Sequence, residues 1–184
     1  MTEPEQTAGR YSAVAMLLHW LLAALIGLNF LGAWMAEDAA KAEKMQMMAG
    51  HKAMGLTILI LTLIRILWRV LRRPPALLDS LKAWEIALAR VTHALFYFLM
   101  LAIPLAGWAL HSAFSGGEPV SLFGLFSLPG LPVGTDKASI GMFHELHEVF
   151  ASLMLLLIVL HVAAALKHAV LDRDGTMRRM LPWG

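Results

Sequence analysis

The sequence predicts an all-α fold, a four-helix bundle integral to a membrane with both chain ends on the cytoplasmic side. Three observations predict it. Of 184 residues, 59% are hydrophobic and 15% charged, with a mean hydropathy of +0.66; soluble domains carry only about 45–50% apolar residues. The apolar residues gather in four windows, each close to the roughly 20 residues that cross a bilayer. Lysine and arginine are unevenly shared among the connectors, which is the pattern that sets orientation in a membrane. The expected spans are approximately 12–36, 47–70, 90–112 and 143–168. They consume most of the chain, so residues 1–184 read as a single transmembrane domain.

Span one runs from Val14 to Ala36, with His19 and Asn29 as its strongly polar residues. The preceding Met1–Arg10 is polar and acidic and lacks the basic start and small-residue cleavage site of a secretory signal, so this span is expected to be retained. Span two, Ala53 to Trp68, is interrupted late by Arg65 and ends at Arg72-Arg73-Pro74-Pro75, where proline cannot continue a helix. Leu77 to Arg90 reads as a short interfacial helix. Span three, Val91 to Leu110, contains Pro104, which predicts a kink. The connector Ser112 to Ile140 mixes Gly and Pro with Phe114, Leu122, Phe123, Leu125 and Phe126, and reads as a loop on the membrane surface. Span four runs from Val149 to Leu166. Trp34, Trp68, Trp108 and Trp183 read as interfacial anchors. Met45, Met47, Met48 and Met54 read as packing rather than thioether ligands.

Arg10 precedes span one. Arg69, Arg72, Arg73, Lys82 and Arg90 lie between spans two and three, and Lys167, Arg173, Arg178 and Arg179 follow span four. The long connector between spans three and four has only Lys137. The first connector balances Lys41, Lys44 and Lys52 against Glu37, Asp38 and Glu43. Positive residues favour the cytoplasmic side, which places both termini there. The net charge of +2 requires no nucleic-acid partner.

Within this apolar frame the histidines carry the chemistry, because ionisable side chains inside a bilayer are costly and mark function. His147 and His161 are fourteen residues apart. That is about 3.9 helical turns, so they share a face roughly 21 Å apart along the axis. With the termini inside, His19 and His161 fall at the cytoplasmic level, and His51 and His147 at the outer level. Neutral imidazole is a natural iron ligand. Two axial histidines fill both open positions of a haem iron, an arrangement suited to electron transfer. The reading is therefore two stacked, non-covalent haems b, each held by two histidines. Cysteine is absent, which excludes thiolate sites and covalent c-type attachment.

Rival residues remain open. His93 and His111, eighteen apart, also share a helical face and form an alternative ligand pair. His144 competes with His147 for the outer site, but its angular offset from His161 is about 100° against about 40° for His147. His168 continues the His161 stripe near the cytoplasmic surface and reads as a surface or quinone-site residue. Arg65 lies fourteen after His51 on the same face, with Arg69 one turn later. Both are candidates for pairing with haem propionates, since guanidinium matches carboxylate geometry, although snorkelling to the surface would also explain Arg69.

These residues resemble the bacterial cytochrome b561 family across essentially the whole chain. The resemblance rests on Leu18-His19-Trp20, Gly50-His51-Lys52, Arg65-Ile66-Leu67-Trp68-Arg69 followed by Pro74-Pro75, and Leu146-His147-Glu148. It extends to Leu160-His161-Val162-Ala163-Ala164-Ala165-Leu166-Lys167-His168 and the tail Asp174-Gly175-Thr176-Met177-Arg178-Arg179-Met180-Leu181-Pro182. What the resemblance implies is a bacterial inner-membrane bundle with haem b near each face, His19 pairing with His161 and His51 with His147, linked to the quinone pool. One characterised type looks like a superoxide oxidase that passes electrons from superoxide outside to ubiquinone. Related cytochrome subunits serve hydrogenases and formate dehydrogenases, so the alternative is an electron-transfer subunit docked on a partner dehydrogenase. For the first function, Lys52, with Lys41 and Lys44, would draw an anionic substrate to the outer haem. His168, with His93, would serve quinone binding and proton uptake on the inner side.

Overall fold

A computed structural model describes residues 9–76, 78 and 81–181. Four long helices dominate: α1 (Ala13–Glu37), α2 (Lys41–Leu71), α3 (Ala83–Ser115) and α4 (Lys137–Leu166). All four are long and apolar enough to cross a membrane. A small hairpin, β1 (Val120–Leu122) with β2 (Phe126–Leu128), fills the connector between α3 and α4. A π-helical turn, Lys167–Asp172, and a 3-10 turn, Met177–Met180, follow α4.

Helix ends are set by local chemistry. The Ser12 hydroxyl accepts the Ala15 N–H and starts α1. The Asp136 carboxylate accepts the N–H groups of Ala138 and Ser139 and starts α4. The Glu85 carboxylate accepts the Lys82 N–H at the start of α3, and Gly116 ends that helix in the left-handed conformation at φ 72°. Each contact satisfies a group that the helix itself leaves unpaired.

The helices are longer than the apolar windows. Residues 41–46 and 137–142 belong to α2 and α4, because polar residues close to a span still satisfy their backbone inside the helix. The separate interfacial helix expected over Leu77–Arg90 is not formed as such. Leu77, Asp79 and Ser80 lie outside the described residues, and from Ala83 the segment is the first turns of α3. Trp183 also lies outside the described residues.

The connector before α4 is more ordered than a surface loop. Phe123 (φ 53°) and Gly124 (φ 76°) both adopt positive φ at the centre of the three-residue connection 123–125, where the Leu125 N–H donates to the Leu122 carbonyl. Val120 and Leu122 are buried against Leu56 and Leu59 of α2. The Ser112 hydroxyl donates to the Trp108 carbonyl and accepts the Leu131 N–H, while the Trp108 indole donates to the Pro129 carbonyl. Gly130 is required here, because any Cβ would overlap the backbone of Gly117.

In sequence order, neighbouring helices pack side by side: α1 on α2, α2 on α3 and α3 on α4. Among the described residues, α4 packs its backbone far less closely on α1 or α2. The core sits at mid-bundle, where Leu22, Ile58, Leu99, Met100, Met154 and Leu157 from all four helices meet. Met54 packs on this cluster, while Met45 is exposed. The outward surface is apolar, with Leu17, Leu28, Leu31, Val70, Val159 and Leu160 exposed. Lipid covers such a surface, and close packing rather than exclusion from water then drives helix association.

At one end Arg179, buried by its surroundings, ties three segments together. Its guanidinium donates twice to the Gly9 carbonyl and once to that of Ala76, at 2.7–3.0 Å. Trp20 donates to the Met180 carbonyl at 2.8 Å and Arg10 to that of Leu181 at 2.6 Å. The described chain ends and the α2–α3 connector therefore share one end of the bundle.

Candidate functional site: two histidine pairs at opposite ends of the bundle

α4 presents His147 and His161 toward different partner helices. At the end carrying the described chain ends, His161 faces His19 of α1, with ring centres 6.3 Å apart. At the other end, His147 faces His51 of α2 at 6.0 Å. The expected pairs are thus brought together. All four rings are half-buried. The pairs also stand where α4 does not close-pack with α1 or α2.

Around His147 the geometry selects one ring nitrogen. Its Nδ1 lies 3.0 Å from the Ile103 carbonyl oxygen, so Nδ1 carries the proton and donates. Nε2 then keeps its lone pair. A helical carbonyl points toward the residue four ahead, which here is Gly107. A Cβ at Gly107 would stand 3.0 Å from His147 Cε1 and 3.1 Å from Nδ1, so glycine is what lets the ring reach the Ile103 carbonyl. His51 Nδ1 similarly faces the Asn29 carbonyl of α1 at 3.4 Å. Backbone carbonyls at Nδ1 orient ligand histidines and raise their basicity.

At the other end His161 is crowded. Besides His19, it meets His93 at 6.2 Å and Phe96 at 5.2 Å. His93 is therefore as near to His161 as His19 is, although His93 is the more exposed of the two. Arg65 reaches from α2 to donate to the Tyr97 hydroxyl and the Ala15 carbonyl, both at 3.2 Å. Arg69 lies over the Tyr97 ring at 5.8 Å, a cation–π contact. Arg65 and Arg69 thus converge on one tyrosine beside the His19–His161 pair.

The remaining candidates separate cleanly. His144 pairs with exposed Glu148 at 3.5 Å. His111 buries an Nε2 that has no partner among the described residues, far along α3 from His93. Lys52 is half-buried beside His51 on α2, and Lys41 and Lys44 are exposed toward the start of the same helix. His168, on the π-helical turn, has Nδ1 2.6 Å from Asp174 and 3.1 Å from Asp172. Glu85, His168 and Asp172 cluster as a cation site would, but the Lys167 ammonium already bridges Glu85 and Asp172. Asp174 is held below the usual carboxylate range: burial raises it, but the Thr176 N–H and side chain and His168 outweigh burial.

The sequence reading missed three participants. Tyr97 gave no signal beyond being aromatic. Gly107 was one glycine inside a helical window, a pattern that suggests close approach without naming what approaches. Asn29 was visible as a polar residue in span one, but its role at His51 comes through its backbone carbonyl, which any residue would carry.

The donor set fits a metal between each pair. A metal about 2 Å from one nitrogen of each of two imidazoles sets the ring centres roughly 6 Å apart, and both expected pairs stand at that separation. Residues 10–183 match the family described as prokaryotic cytochrome b561. The chain belongs to this family. It is similar to cytochrome b561 homolog 2 of Escherichia coli strain K12, 33% identical over 95% of this chain and 93% of the relative. Cytochrome b561 homolog 1 of the same strain is 26% identical over 94% of this chain and 97% of that one. Probable superoxide oxidase CybB of Yersinia pestis is 27% identical over 94% of this chain and 96% of that one. As a cytochrome b561, the chain is a multi-pass protein of the bacterial inner membrane that binds b-type haem and transfers electrons across the membrane.

Proposed function

We propose that this cytochrome b561 holds two haems b, one between His19 and His161 and one between His51 and His147, and oxidises superoxide with ubiquinone as acceptor. The observation that carries the reading is the pair of facing imidazoles at each end of the bundle, both reached from α4. When bound, haem with two histidine ligands supplies one-electron transfer without an open position for oxygen. The protein's own residues do the rest. Ile103 and Asn29 orient His147 and His51 through their carbonyls. Arg65 and Arg69, converging at Tyr97, offer guanidinium groups to haem propionates at the His19–His161 end.

Orientation follows from charge. Arg69, Arg72, Arg73, Lys82, Lys167, Arg173, Arg178 and Arg179 all belong to the end that holds the described termini. The positive-inside rule places that end in the cytoplasm and the His51–His147 pair outside. Lys52, Lys41 and Lys44 then stand at the outer end, among Glu37, Asp38 and Glu43, as the local cations that would meet the superoxide anion. His168 Nδ1 meets the Asp174 carboxylate at 2.6 Å at the cytoplasmic end, where quinone reduction consumes protons. Overall, two superoxide anions become two dioxygen molecules, and the two electrons with two protons convert ubiquinone to ubiquinol. The likeness to Probable superoxide oxidase CybB supports this substrate.

Stopped-flow optical spectroscopy of the purified protein tests it. Superoxide should reduce the haems faster than superoxide dismutes, and ubiquinone should reoxidise them; Lys52→Ala should slow the first step and His168→Ala the second. Reduction no faster than dismutation overturns the superoxide assignment and leaves an electron-transfer subunit of a partner dehydrogenase.

A further inference from the structure

A cavity of about 530 Å³ opens where α1 begins and α2 ends. Arg10, Arg65, Arg69, Arg72 and Arg73 all line it, and no described lining residue is acidic. Arginine stays protonated in proteins, so the cavity is strongly electropositive. The N-terminus of α1, at Ser12, adds the positive end of a helix dipole. Some of this charge is occupied: Arg65 donates to Ala15 and Tyr97, Arg69 covers the Tyr97 ring, and Arg10 donates to the Leu181 carbonyl. Among the described residues, the exposed side chains of Arg72 and Arg73 make no hydrogen bond or ion pair.

The neighbourhood of the cavity is apolar on one side. Leu71 lines it and is 67% exposed. Leu67, Ile64 and Ile60 continue from Leu71 at spacings of three and four along α2, all exposed. That spacing puts them on one helix face. An electropositive cavity at the helix ends thus adjoins, at Leu71, an exposed apolar stripe of α2.

We propose that this cavity binds the phosphate of a net-anionic phospholipid, with Arg72 and Arg73 at the headgroup and the acyl chains along the Ile60–Ile64–Leu67–Leu71 stripe. Basic pockets between helix ends on the cytoplasmic side recognise such headgroups, and guanidinium pairs with phosphate through paired N–H groups. A free phosphate ester shares the headgroup chemistry but has nothing to place on the stripe. The cavity shares Arg65, Arg69 and Tyr97 with the proposed propionate contacts, so the test rests on Arg72 and Arg73, which are assigned no part in holding the haems.

Native mass spectrometry of the delipidated holoprotein tests the site, with phosphatidylglycerol, phosphatidylcholine or inorganic phosphate added separately. Phosphatidylglycerol should bind and phosphatidylcholine should not. The double variant Arg72→Ala/Arg73→Ala should bind phosphatidylglycerol roughly 30-fold more weakly, at about fivefold per basic residue near the surface. Arg72→Lys/Arg73→Lys should keep most of the binding, and both variants should keep the wild-type haem spectrum. Equal binding of the two lipids by the wild type overturns the proposal without any variant. So does undiminished phosphatidylglycerol binding in the double alanine variant. If inorganic phosphate binds and excludes phosphatidylglycerol, the cavity serves soluble phosphate and the lipid assignment fails.

Discussion

His147 and Gly107 face each other across the α3–α4 contact so closely that a Cβ on Gly107 would lie 3.0 Å from the imidazole Cε1. The same approach brings His147 Nδ1 to 3.0 Å from the Ile103 carbonyl. A methyl at Gly107 would need the ring to give by a few tenths of an ångström, and a branched side chain would need more. If the proposed two-haem ligation holds, Gly107→Val is therefore expected to displace His147 and cut the haem-to-protein ratio from two toward one, while Gly107→Ala shifts the ligand field with both haems retained. Pyridine haemochrome analysis and low-temperature electron paramagnetic resonance read the two effects.

The ligand assignment itself is tested by four single variants. His51→Ala should lose the haem at one end and His161→Ala the haem at the other. His93→Ala should keep both, although His93 stands as near to His161 as His19 does. If His93→Ala loses haem and His19→Ala does not, the partner of His161 is His93. The optical spectrum of each purified variant decides between them.

Arg65 is expected to set the potential of the haem at the His19–His161 end. A nearby cation stabilises the reduced, more negatively charged site. Arg65→Leu should lower that potential by tens of millivolts, since about 1 kcal/mol corresponds to roughly 40 mV for one electron. Redox titration followed optically measures it, and the haem at the His51–His147 end should hold its potential.

Asp174 predicts a pH dependence of stability. Its folded pKa lies below the ordinary value of 3.8. The sign for a depressed carboxylate is that its stabilising contribution is full above the unfolded pKa. It is lost as the pH falls through the lower, folded value. Thermal unfolding in detergent should show wild type losing stability below about pH 4. Asp174→Asn should be less stable than wild type at pH 7, with the difference shrinking in acid. A pH-independent difference would mean that the carboxylate charge is not what Asp174 contributes.

The number and order of the helices, and the placing of histidines in matched pairs at opposite ends, were legible in the sequence. A span reverses direction at each connector, so the depth of a residue follows from its position in its window. That His147 rather than His144 lies nearer the His161 face was legible for a similar reason, because helical angle depends only on residue spacing. What spacing cannot supply is how each helix turns about its own axis relative to the next. That rotation is set by side-chain packing among Leu22, Ile58, Leu99, Met100, Met154 and Leu157. It alone decided that His93 approaches His161, that Arg65 and Arg69 meet at Tyr97, and that Gly107 opens the Ile103 carbonyl to His147. The hairpin escaped the sequence reading because its strands are three residues each, too short for alternation to register. Its stability comes from the turn at Phe123–Gly124 and from α2 beneath it.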